Sequence, residues 1–308
     1  IGLGSIGMRH LNNMASLLKQ RDISYTIDLV RHDSNKPLDE KIKPLIQNVY
    51  YSIDSLSNDY DVAFITNPTD KHFETVRAIL DKTVHMFIEK PIFDHLKHPL
   101  HTLSFNNQGV YYVACPLRYT NVIQYLKETV DPYSVFSARI ISSSFLPDWR
   151  PGTDYRQSYS ANASQGGGVS IDLIHEWDYI LYLFGRPMEV LNFRGHFSNL
   201  EIDSDDLSIY IARYEKMLVE VHLDYFGRKP VREIQLFTDT EQLVGDLIKS
   251  EIRYEKSGKV ISFHELRNDY QMKEIEAFFD MIEGKLKNHN SVQTALSTLS
   301  IAKDGIIL

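Results

Sequence analysis

The sequence has little cysteine, a deficit of positive charge and no long apolar run, and each shortage removes a class of protein. Its single cysteine, Cys115, excludes an intrachain disulfide and a cysteine-based zinc site, and we predict no metal site. The net charge of −8 disfavours nucleic acid as the main partner, because phosphate backbones are bound by clustered lysine and arginine. Without a bilayer-length apolar run or a signal peptide, we expect a cytoplasmic protein with no membrane partner.

A chain of 308 residues exceeds the usual size of one hydrophobic core, so two domains are expected. Up to residue 115, short apolar strands such as Asp61–Thr66 alternate with helical patterns, which is typical of a parallel sheet covered on both faces. Beyond that point, strands follow one another with short connections, and one helical segment, Val169–Phe184, interrupts them. We therefore predict an α/β Rossmann domain in residues 1–115 and, in residues 116–308, an α+β domain with a large, mostly antiparallel sheet.

Residues 2–7, GLGSIG, fit the pattern G-x-G-x-x-G that follows the first strand of dinucleotide-binding domains. Gly2 permits the tight turn, Gly4 lets the backbone approach a pyrophosphate, and Gly7 lets the helix pack closely on the sheet. The helix N-terminus then offers free N–H groups and a positive dipole end to the phosphates. We expect the chain to begin inside this first strand. The residues of the motif predicted to bind the dinucleotide are Gly2, Gly4, Ser5, Ile6 and Gly7.

The end of the second strand, Tyr25–Val30, is the place from which the adenosine ribose is recognised. An acidic residue there favours NAD because it accepts hydrogen bonds from the ribose hydroxyls, whereas an arginine favours the 2′-phosphate of NADP. Arg31 and Asp33 both follow this strand, so the choice between NAD and NADP stays open. An exposed polar loop is the alternative interpretation of this stretch.

Ligands of parallel sheets bind at the carboxyl ends of the strands, and two further segments reach such an end. One is TNPTDKH at residues 66–72, and the other is Glu89-Lys90-Pro91 after the strand His85–Glu89. For His72, contact with the ligand and exposure to solvent are both left open. The residues of these segments predicted to bind the cofactor are Asn67, Pro68, Thr69, His72 and Glu89.

Three side chains carry the predicted proton chemistry. Lys90 follows a central strand and is fixed by a proline, so its ammonium group would polarise a substrate hydroxyl; a surface lysine is the alternative. Asp172 and His175 follow a run of three glycines, and their spacing of three places them on one helix face. There the carboxylate would orient the imidazole, which would take the hydroxyl proton while a hydride leaves for nicotinamide. Two polar residues that point at water are the alternative.

The sequence resembles the Gfo/Idh/MocA family, which includes glucose–fructose oxidoreductase and inositol dehydrogenase. The resemblance rests on four motifs together: GLGSIG at 2–7, TNPTDKH at 66–72, EKP at 89–91 and GGGVSIDLIHEWDYILYLFG at 166–185. It implies a Rossmann domain followed by a domain with a large, mostly antiparallel sheet. It also implies that this sheet forms an oligomer interface, as it often does in the family.

In this family, the lysine of EKP and an Asp–His pair after the glycine run are the catalytic residues. The resemblance therefore implies catalytic roles for Lys90, Asp172 and His175. This sequence departs from many members in one respect, because His175 follows Asp172 by three positions instead of four, and Glu176 occupies the fourth. Since both spacings keep one helix face, we retain His175 as the predicted base.

The segment Leu146–Arg156, LPDWRPGTDYR, is rich in tryptophan, tyrosine and arginine. Its arginines would pair with a substrate carboxylate or phosphate, because a guanidinium makes bidentate contacts with both; structural ion pairs are the alternative. The segment resembles family members of bacterial surface-sugar and nonulosonic acid biosynthesis, which implies an anionic sugar substrate. The residues predicted to contact the substrate are Arg118, Trp149, Arg150, Tyr155 and Arg156.

The sequence thus predicts an NAD(P)-dependent oxidoreductase that transfers hydride between nicotinamide and a hydroxyl-bearing carbon of a sugar, amino sugar or nucleotide-sugar. A non-catalytic NAD(P)-binding sensor of the same fold is the alternative from another class. A third interpretation keeps the enzyme but changes the substrate, to an imine-like tetrapyrrole or a dihydrodiol. Because the open sheet has a face to cover, we expect a homodimer or homotetramer.

Overall fold

The computed structural model describes residues 1–32 and 37–308. Its α-helices are α1 (Ser5–Gln20), α2 (His72–Ile79), α3 (Asn121–Thr129), α4 (Val169–Asp172), α5 (His175–Phe184), α6 (Arg267–Ile282) and α7 (Val292–Asp304). Its strands are β1 (Asp28–Val30), β2 (Asn48–Tyr50), β3 (Tyr60–Ile65), β4 (Thr83–Ile88), β5 (Tyr111–Val113), β6 (Val135–Phe145), β7 (Glu189–Gly195), β8 (Leu207–Arg213), β9 (Leu218–Asp224), β10 (Phe226–Thr238), β11 (Gln242–Asp246), β12 (Glu251–Tyr254) and β13 (Val260–Ser262). None of these helices, within the described residues, is both long and apolar enough to cross a bilayer.

Contacts between residues divide the chain into two compact units. The first unit consists of Ile1–Ala114 and Gln271–Ala295, and the second consists of Cys115–Tyr270 and Leu296–Leu308. The division after Ala114 lies one residue before the boundary placed from the sequence. The segment Gln271–Ala295, which the sequence analysis put in the second domain, packs with the first unit.

The first unit is built on parallel strands, as expected for a Rossmann domain. Strand β1 pairs with β2, and β3, β4 and β5 form a second sheet in that order. Ile1 and Gly2 bond to both sheets, since Ile1 N donates to the Phe64 oxygen at 2.6 Å and Gly2 N donates to the Val30 oxygen at 2.9 Å. These two residues therefore have the main-chain pairing of a strand between β1 and β3. A cleft of about 830 Å³ also lies between the two sheets.

Aromatic side chains form the core of the first unit. Phe64 of β3 and Phe87 of β4 stack with ring centroids 4.9 Å apart, and Phe278 of α6 meets them edge-on at 5.8 and 5.4 Å. His10 of α1 lies edge-on to Phe87 at 4.9 Å. Because Phe278 belongs to Gln271–Ala295, this cluster explains why that segment packs with the first unit.

An eight-stranded sheet dominates the second unit, in the order β13-β12-β11-β10-β6-β9-β8-β7. Its neighbouring strands are antiparallel except for the parallel pair of β6 and β9, which confirms the predicted large, mostly antiparallel sheet. One face of the sheet buries a row of directly paired cross-strand neighbours, which consists of Ile234, Ile140, Val221 and Tyr210. Trp177 of α5 packs edge-on against Tyr210 at 5.2 Å. The sequence analysis missed β11, β12 and α3.

Replacing the fully buried Phe278 by alanine is expected to destabilise the protein by about 3–5 kcal/mol, the usual cost of deleting a buried phenyl ring. Urea unfolding followed by circular dichroism measures this loss. Leu286→Ala, at a leucine of the same segment that is 48% exposed, is the control and should change the free energy of unfolding by less than about 0.5 kcal/mol. Equal effects of the two substitutions would contradict the aromatic core.

Candidate active site

The glycine turn brings the start of α1 against the end of β3. Gly2 has a φ of +89°, and a Cβ on it would lie 2.7 Å from the Asn67 nitrogen. A Cβ on Gly7 would lie 2.6 Å from the Gly2 oxygen and 2.7 Å from the Thr66 hydroxyl. Thr66 closes this contact by donating a hydrogen bond to the Gly2 oxygen at 2.9 Å. Glycine is therefore required at both ends of the motif for packing within the first unit.

The N-terminus of α1 is open to a ligand. Gly4 is its N-cap, no side chain caps the helix, and a Cβ on Gly4 would meet nothing within 4 Å. The N–H groups of Ser5, Ile6 and Gly7 precede the hydrogen bond of 2.9 Å from Met8 N to the Gly4 oxygen. Free N–H groups at a helix N-terminus bind anions, so these residues fit the pyrophosphate of a dinucleotide.

The two residues that would distinguish NAD from NADP are only partly described. Arg31 follows β1 directly, and its main-chain N–H donates to the Tyr50 oxygen at 3.0 Å. Asp33 lies outside the described residues.

His72 is buried and lies between two loops of the first unit. Its Nε2 is 3.0 Å from the main-chain oxygen of Asn67, and its Nδ1 is 3.0 Å from that of Pro91. Burial lowers the pKa of His72, although the contacts with carbonyl oxygens act in the opposite direction. Of the other two residues predicted for cofactor contact here, Pro68 is exposed and Thr69 is half-buried. His72 thus holds the main chain of the loop that they occupy.

Glu89 holds the main chain from which Lys90 extends. One carboxylate oxygen lies 2.5 Å from Nε2 of His10, and the other accepts a hydrogen bond from the Lys90 N–H at 3.1 Å. Burial alone would raise the pKa of Glu89, but the hydrogen bond and charge of His10 and the charge of Lys90 outweigh it and lower the pKa. The His10–Glu89 pair joins α1 to the carboxyl end of β4. The bond from the Lys90 N–H to Glu89 fixes the backbone of the predicted catalytic lysine.

The helical segment predicted for Val169–Phe184 consists of two helices. Helix α4 ends at Asp172 and α5 begins at His175. Between them, the N–H of Glu176 bonds to the Leu173 oxygen at 3.3 Å, a three-residue spacing tighter than that of an α-helix. The predicted continuous helix is therefore interrupted between Asp172 and His175.

Asp172 is buried, and both of its carboxylate oxygens accept hydrogen bonds from tyrosine. Oδ1 accepts from the hydroxyl of Tyr159, and Oδ2 accepts from the hydroxyl of Tyr225 at 2.5 Å. Burial and the Asp172 carboxylate raise the pKa of both tyrosines well above the usual value. Trp149 packs edge-on against Tyr225 at 5.2 Å. The sequence analysis missed both tyrosines, because no local pattern marks a side chain whose partner is distant in sequence.

The glycine run before α4 allows close packing within the second unit. A Cβ on Gly167 would lie 2.0 Å from the main-chain oxygen of Tyr159, and one on Gly168 would lie 2.4 Å from a carboxylate oxygen of Asp205. Asp205 also accepts a hydrogen bond from Ser170 N at 3.0 Å, at the start of α4. The glycines therefore let the segment that carries Tyr159 approach the segment that carries Asp172.

Two of the arginines predicted to contact the substrate have carboxylate partners. Arg118 is 3% exposed, and its Nε and Nη2 donate to the two oxygens of Asp178 at 2.8 and 2.7 Å. Arg156 is half exposed and pairs with Asp154 at 2.8 Å and Glu201 at 3.1 Å. These contacts are the structural ion pairs that the sequence analysis gave as the alternative.

The remaining predicted substrate residues differ in their distance from Asp172. Asp172, Tyr159 and Tyr225 form a hydrogen-bonded network, here called the Asp172 network. Trp149 contacts this network because its ring packs against the ring of Tyr225. Arg150 is exposed, and its charge acts on the hydroxyl of Tyr159, so it lies near the same network. Tyr155 accepts a main-chain hydrogen bond of 3.2 Å from a neighbouring loop. The structure therefore brings Trp149 and Arg150 together with Asp172.

Comparison with known proteins shows which sequences this chain is similar to. Residues 1–103 match the Gfo/Idh/MocA family, described as an oxidoreductase family with an NAD-binding Rossmann fold. Myo-inositol 2-dehydrogenase of Thermotoga maritima is 25% identical over 194 residues, which is 61% of this chain. The matched part spans 55% of the length of that relative. Over residues 1–103, the family match agrees with the resemblance that the motifs GLGSIG, TNPTDKH and EKP predicted.

Solved structures of the same fold cover nearly the whole chain. Levoglucosan dehydrogenase, in complex with NADH and levoglucosan, gives a TM-score of 0.81 at 16% identity over 98% of this chain and 93% of that one. UDP-N-acetylglucosamine 3-dehydrogenase from Acidithiobacillus ferrooxidans gives 0.77 at 18% identity, with the same coverage of 98% and 93%. The WlbA dehydrogenase from Bordetella pertussis, in complex with NADH and UDP-GlcNAcA, gives 0.78 at 12% identity over 99% and 95%. They confirm the predicted fold class.

Arg118→Leu is expected to lower the free energy of unfolding by about 3–5 kcal/mol, because it leaves the charge of Asp178 buried without this partner. Urea unfolding measures the loss. Arg156→Ala breaks an ion pair whose arginine is 50% exposed and should cost less than about 1 kcal/mol. If Arg118 served the substrate instead of the fold, its replacement would leave the unfolding midpoint unchanged and raise KM.

Proposed function

We propose that this chain is an NAD(P)-dependent dehydrogenase that acts on a hydroxyl-bearing carbon of a sugar-like substrate. The observation that carries the proposal is the uncapped N-terminus of α1 behind the glycine turn, within the 103 residues that match an NAD-binding family. Similar proteins are named as dehydrogenases of myo-inositol, levoglucosan and UDP-N-acetylglucosamine, which supports a polyhydroxylated substrate.

The first unit would hold the dinucleotide mainly through its backbone. The N–H groups of residues 5–7 would bind the pyrophosphate, and the loop Asn67–Thr69 would line the cofactor at the carboxyl end of β3. Arg31 or Asp33 would contact the ribose and so select NADP or NAD. When bound, the nicotinamide ring accepts or supplies the hydride.

Three residues would manage the hydroxyl proton. Lys90 would donate a hydrogen bond to the hydroxyl oxygen and stabilise the negative charge that develops on it. His175 would take the proton during oxidation and return it during reduction. The Asp172 carboxylate would stabilise the imidazolium that forms when His175 is protonated. These roles remain proposals for Lys90, Asp172 and His175.

Arg150 supports an anionic substrate. It lies near the Asp172 network, and in the described part of the chain no carboxylate pairs with it. A guanidinium in this position suits a carboxylate or phosphate group. We therefore propose a sugar acid or nucleotide-sugar of surface-sugar biosynthesis as the substrate class. A cytoplasmic location is part of the same proposal, supported by a sequence with only one cysteine, Cys115, which cannot form an intrachain disulfide.

Lys90→Ala and His175→Ala are each expected to lower kcat/KM by about 10²- to 10⁴-fold, the usual contribution of a positioned acid or base. The assay follows nicotinamide absorbance with a panel of sugars, sugar acids and nucleotide-sugars. Lys97→Ala and His101→Ala, at exposed residues of the loop after β4, are matched controls and should keep full activity.

Two outcomes of this assay would count against the proposal. Tight NAD(P) binding without turnover on the whole panel would favour the non-catalytic sensor. Full activity in both alanine variants would contradict the proposed proton chemistry. Mass spectrometry of nucleotide that co-purifies with the protein distinguishes NAD from NADP.

We further propose that the outer face of the eight-stranded sheet forms a homodimer or homotetramer interface. Phe193 and Leu191 of β7 are 69% and 53% exposed there. Their cross-strand partners in β8 are Ile209 and Ile211, so the four side chains form an apolar patch on one face. An exposed apolar patch of this kind is normally covered by association.

Phe193→Asp is expected to convert the oligomer to a monomer, because the interface would have to bury an unpaired charge. Size-exclusion chromatography with light scattering measures the mass. Leu266→Asp, at a leucine that is 70% exposed outside the patch, is the control and should leave the mass unchanged. A wild-type protein that is monomeric at every concentration tested would contradict the proposed interface.

A further inference from the structure

The interruption between α4 and α5 raises the question of what orients Asp172. The residue is the last of α4, and the chain bends before α5 begins at His175. No continuous helix therefore fixes the carboxylate relative to His175. Its orientation has to come from side chains that contact it.

Two tyrosine hydroxyls supply such contacts from distant parts of the chain. Tyr159 lies in a short helical turn before the glycine run, and Tyr225 directly follows β9. Each donates to a different oxygen of Asp172, and the bond from Tyr225 is 2.5 Å long. Because the two donors hold opposite oxygens, rotation of the carboxylate would break both charge-assisted hydrogen bonds.

The surroundings of the two tyrosines differ. Tyr225 is fully buried, whereas Tyr159 is 38% exposed as a residue and directs its hydroxyl to Asp172. Burial and the negative carboxylate raise the pKa of both phenols well above the usual value, so both stay protonated donors at neutral pH. The other charged groups that act on these hydroxyls are Arg150, near Tyr159, and Asp205, near Tyr225.

We propose that Tyr159 and Tyr225 are positioning residues that clamp the Asp172 carboxylate through both of its oxygens. They exchange no proton with the substrate. The clamp keeps the negative charge of Asp172 in one place, where it stabilises the positive charge that His175 acquires when it takes a proton. The kinetic consequence of the clamp rests on the proposed dehydrogenase function, whereas the clamp itself does not.

The kinetic test uses Tyr225→Phe, which removes one O–H donor and keeps the buried ring. We expect kcat to fall by about 10- to 100-fold, because small displacements of a catalytic group have effects of this size, while KM changes by less than about threefold. Tyr159→Phe should also lower kcat. Combining both substitutions should cost less than the product of the single effects, since the first already releases the clamp.

Tyr210→Phe is the matched control. Tyr210 is also fully buried, and its hydroxyl donates to the main-chain oxygen of Ala302, away from Asp172. It should lose as much stability to urea as Tyr225→Phe and keep the wild-type kcat. If Tyr225→Phe keeps the wild-type kcat as well, the positioning role is overturned. If Tyr225→Phe does not fold, the partly exposed Tyr159→Phe decides the question in the same assay.

A second measurement needs no turnover. The ultraviolet absorbance of tyrosinate reports phenol ionisation, and Asp172→Asn removes the charge that opposes it at Tyr159 and Tyr225. In this variant, two tyrosines should ionise at lower pH than in the wild type. An unchanged titration would show that the clamp does not exist. If the wild type is inactive on every substrate, the dehydrogenase proposal fails, and the titration still decides whether the clamp is present.

Discussion

The start of α1 lies so close to the end of β3 that a side chain on Gly7 would collide with the main chain at Gly2. This contact sets the position of α1, and the rest of the first unit's candidate site depends on it. At the N-terminus, the uncapped N–H groups stay open to an anion. One turn beyond Gly7, His10 reaches Glu89, and Glu89 holds the main-chain N–H of Lys90. The close approach of Gly7 to Gly2 therefore fixes the N-terminus of α1, which is open to an anion. Through His10 and Glu89 it also fixes the main chain of Lys90.

Local patterns in the sequence predicted the fold class and the ends of the strands that carry the motifs, because glycine, proline and apolar periodicity act locally. Contacts between distant segments escaped prediction. The run 169–184 keeps helical spacing throughout, yet Asp205 from another segment binds the start of α4, and the helix breaks after Asp172. Likewise, nothing around Arg118 indicates that Asp178 is its partner. The side-chain partners of the predicted site residues were therefore not predictable from the sequence.

Three carboxylates, one in the first unit and two in the second, are largely buried, and each is held by a different kind of donor. Glu89 contacts the imidazole of His10 and accepts a hydrogen bond from a backbone N–H. Asp172 accepts hydrogen bonds from two tyrosine hydroxyls, and Asp178 accepts two from the guanidinium of Arg118. Removing the partner of a buried charge is costly, so each partner is needed by the fold. Substitutions at these partners will therefore change stability and geometry together, and measurements of activity alone would not separate the two.

His72 has three main-chain carbonyl oxygens within hydrogen-bonding distance: that of Asn67 at Nε2, and those of Pro91 and Ile92 at Nδ1. Its lowered pKa keeps the ring neutral at pH 7, and a neutral imidazole carries one N–H. The two loops therefore share a single hydrogen. Whichever tautomer forms, one loop accepts a hydrogen bond from the ring and the other faces a ring nitrogen that carries no hydrogen, so the neutral ring cannot donate to both loops at once.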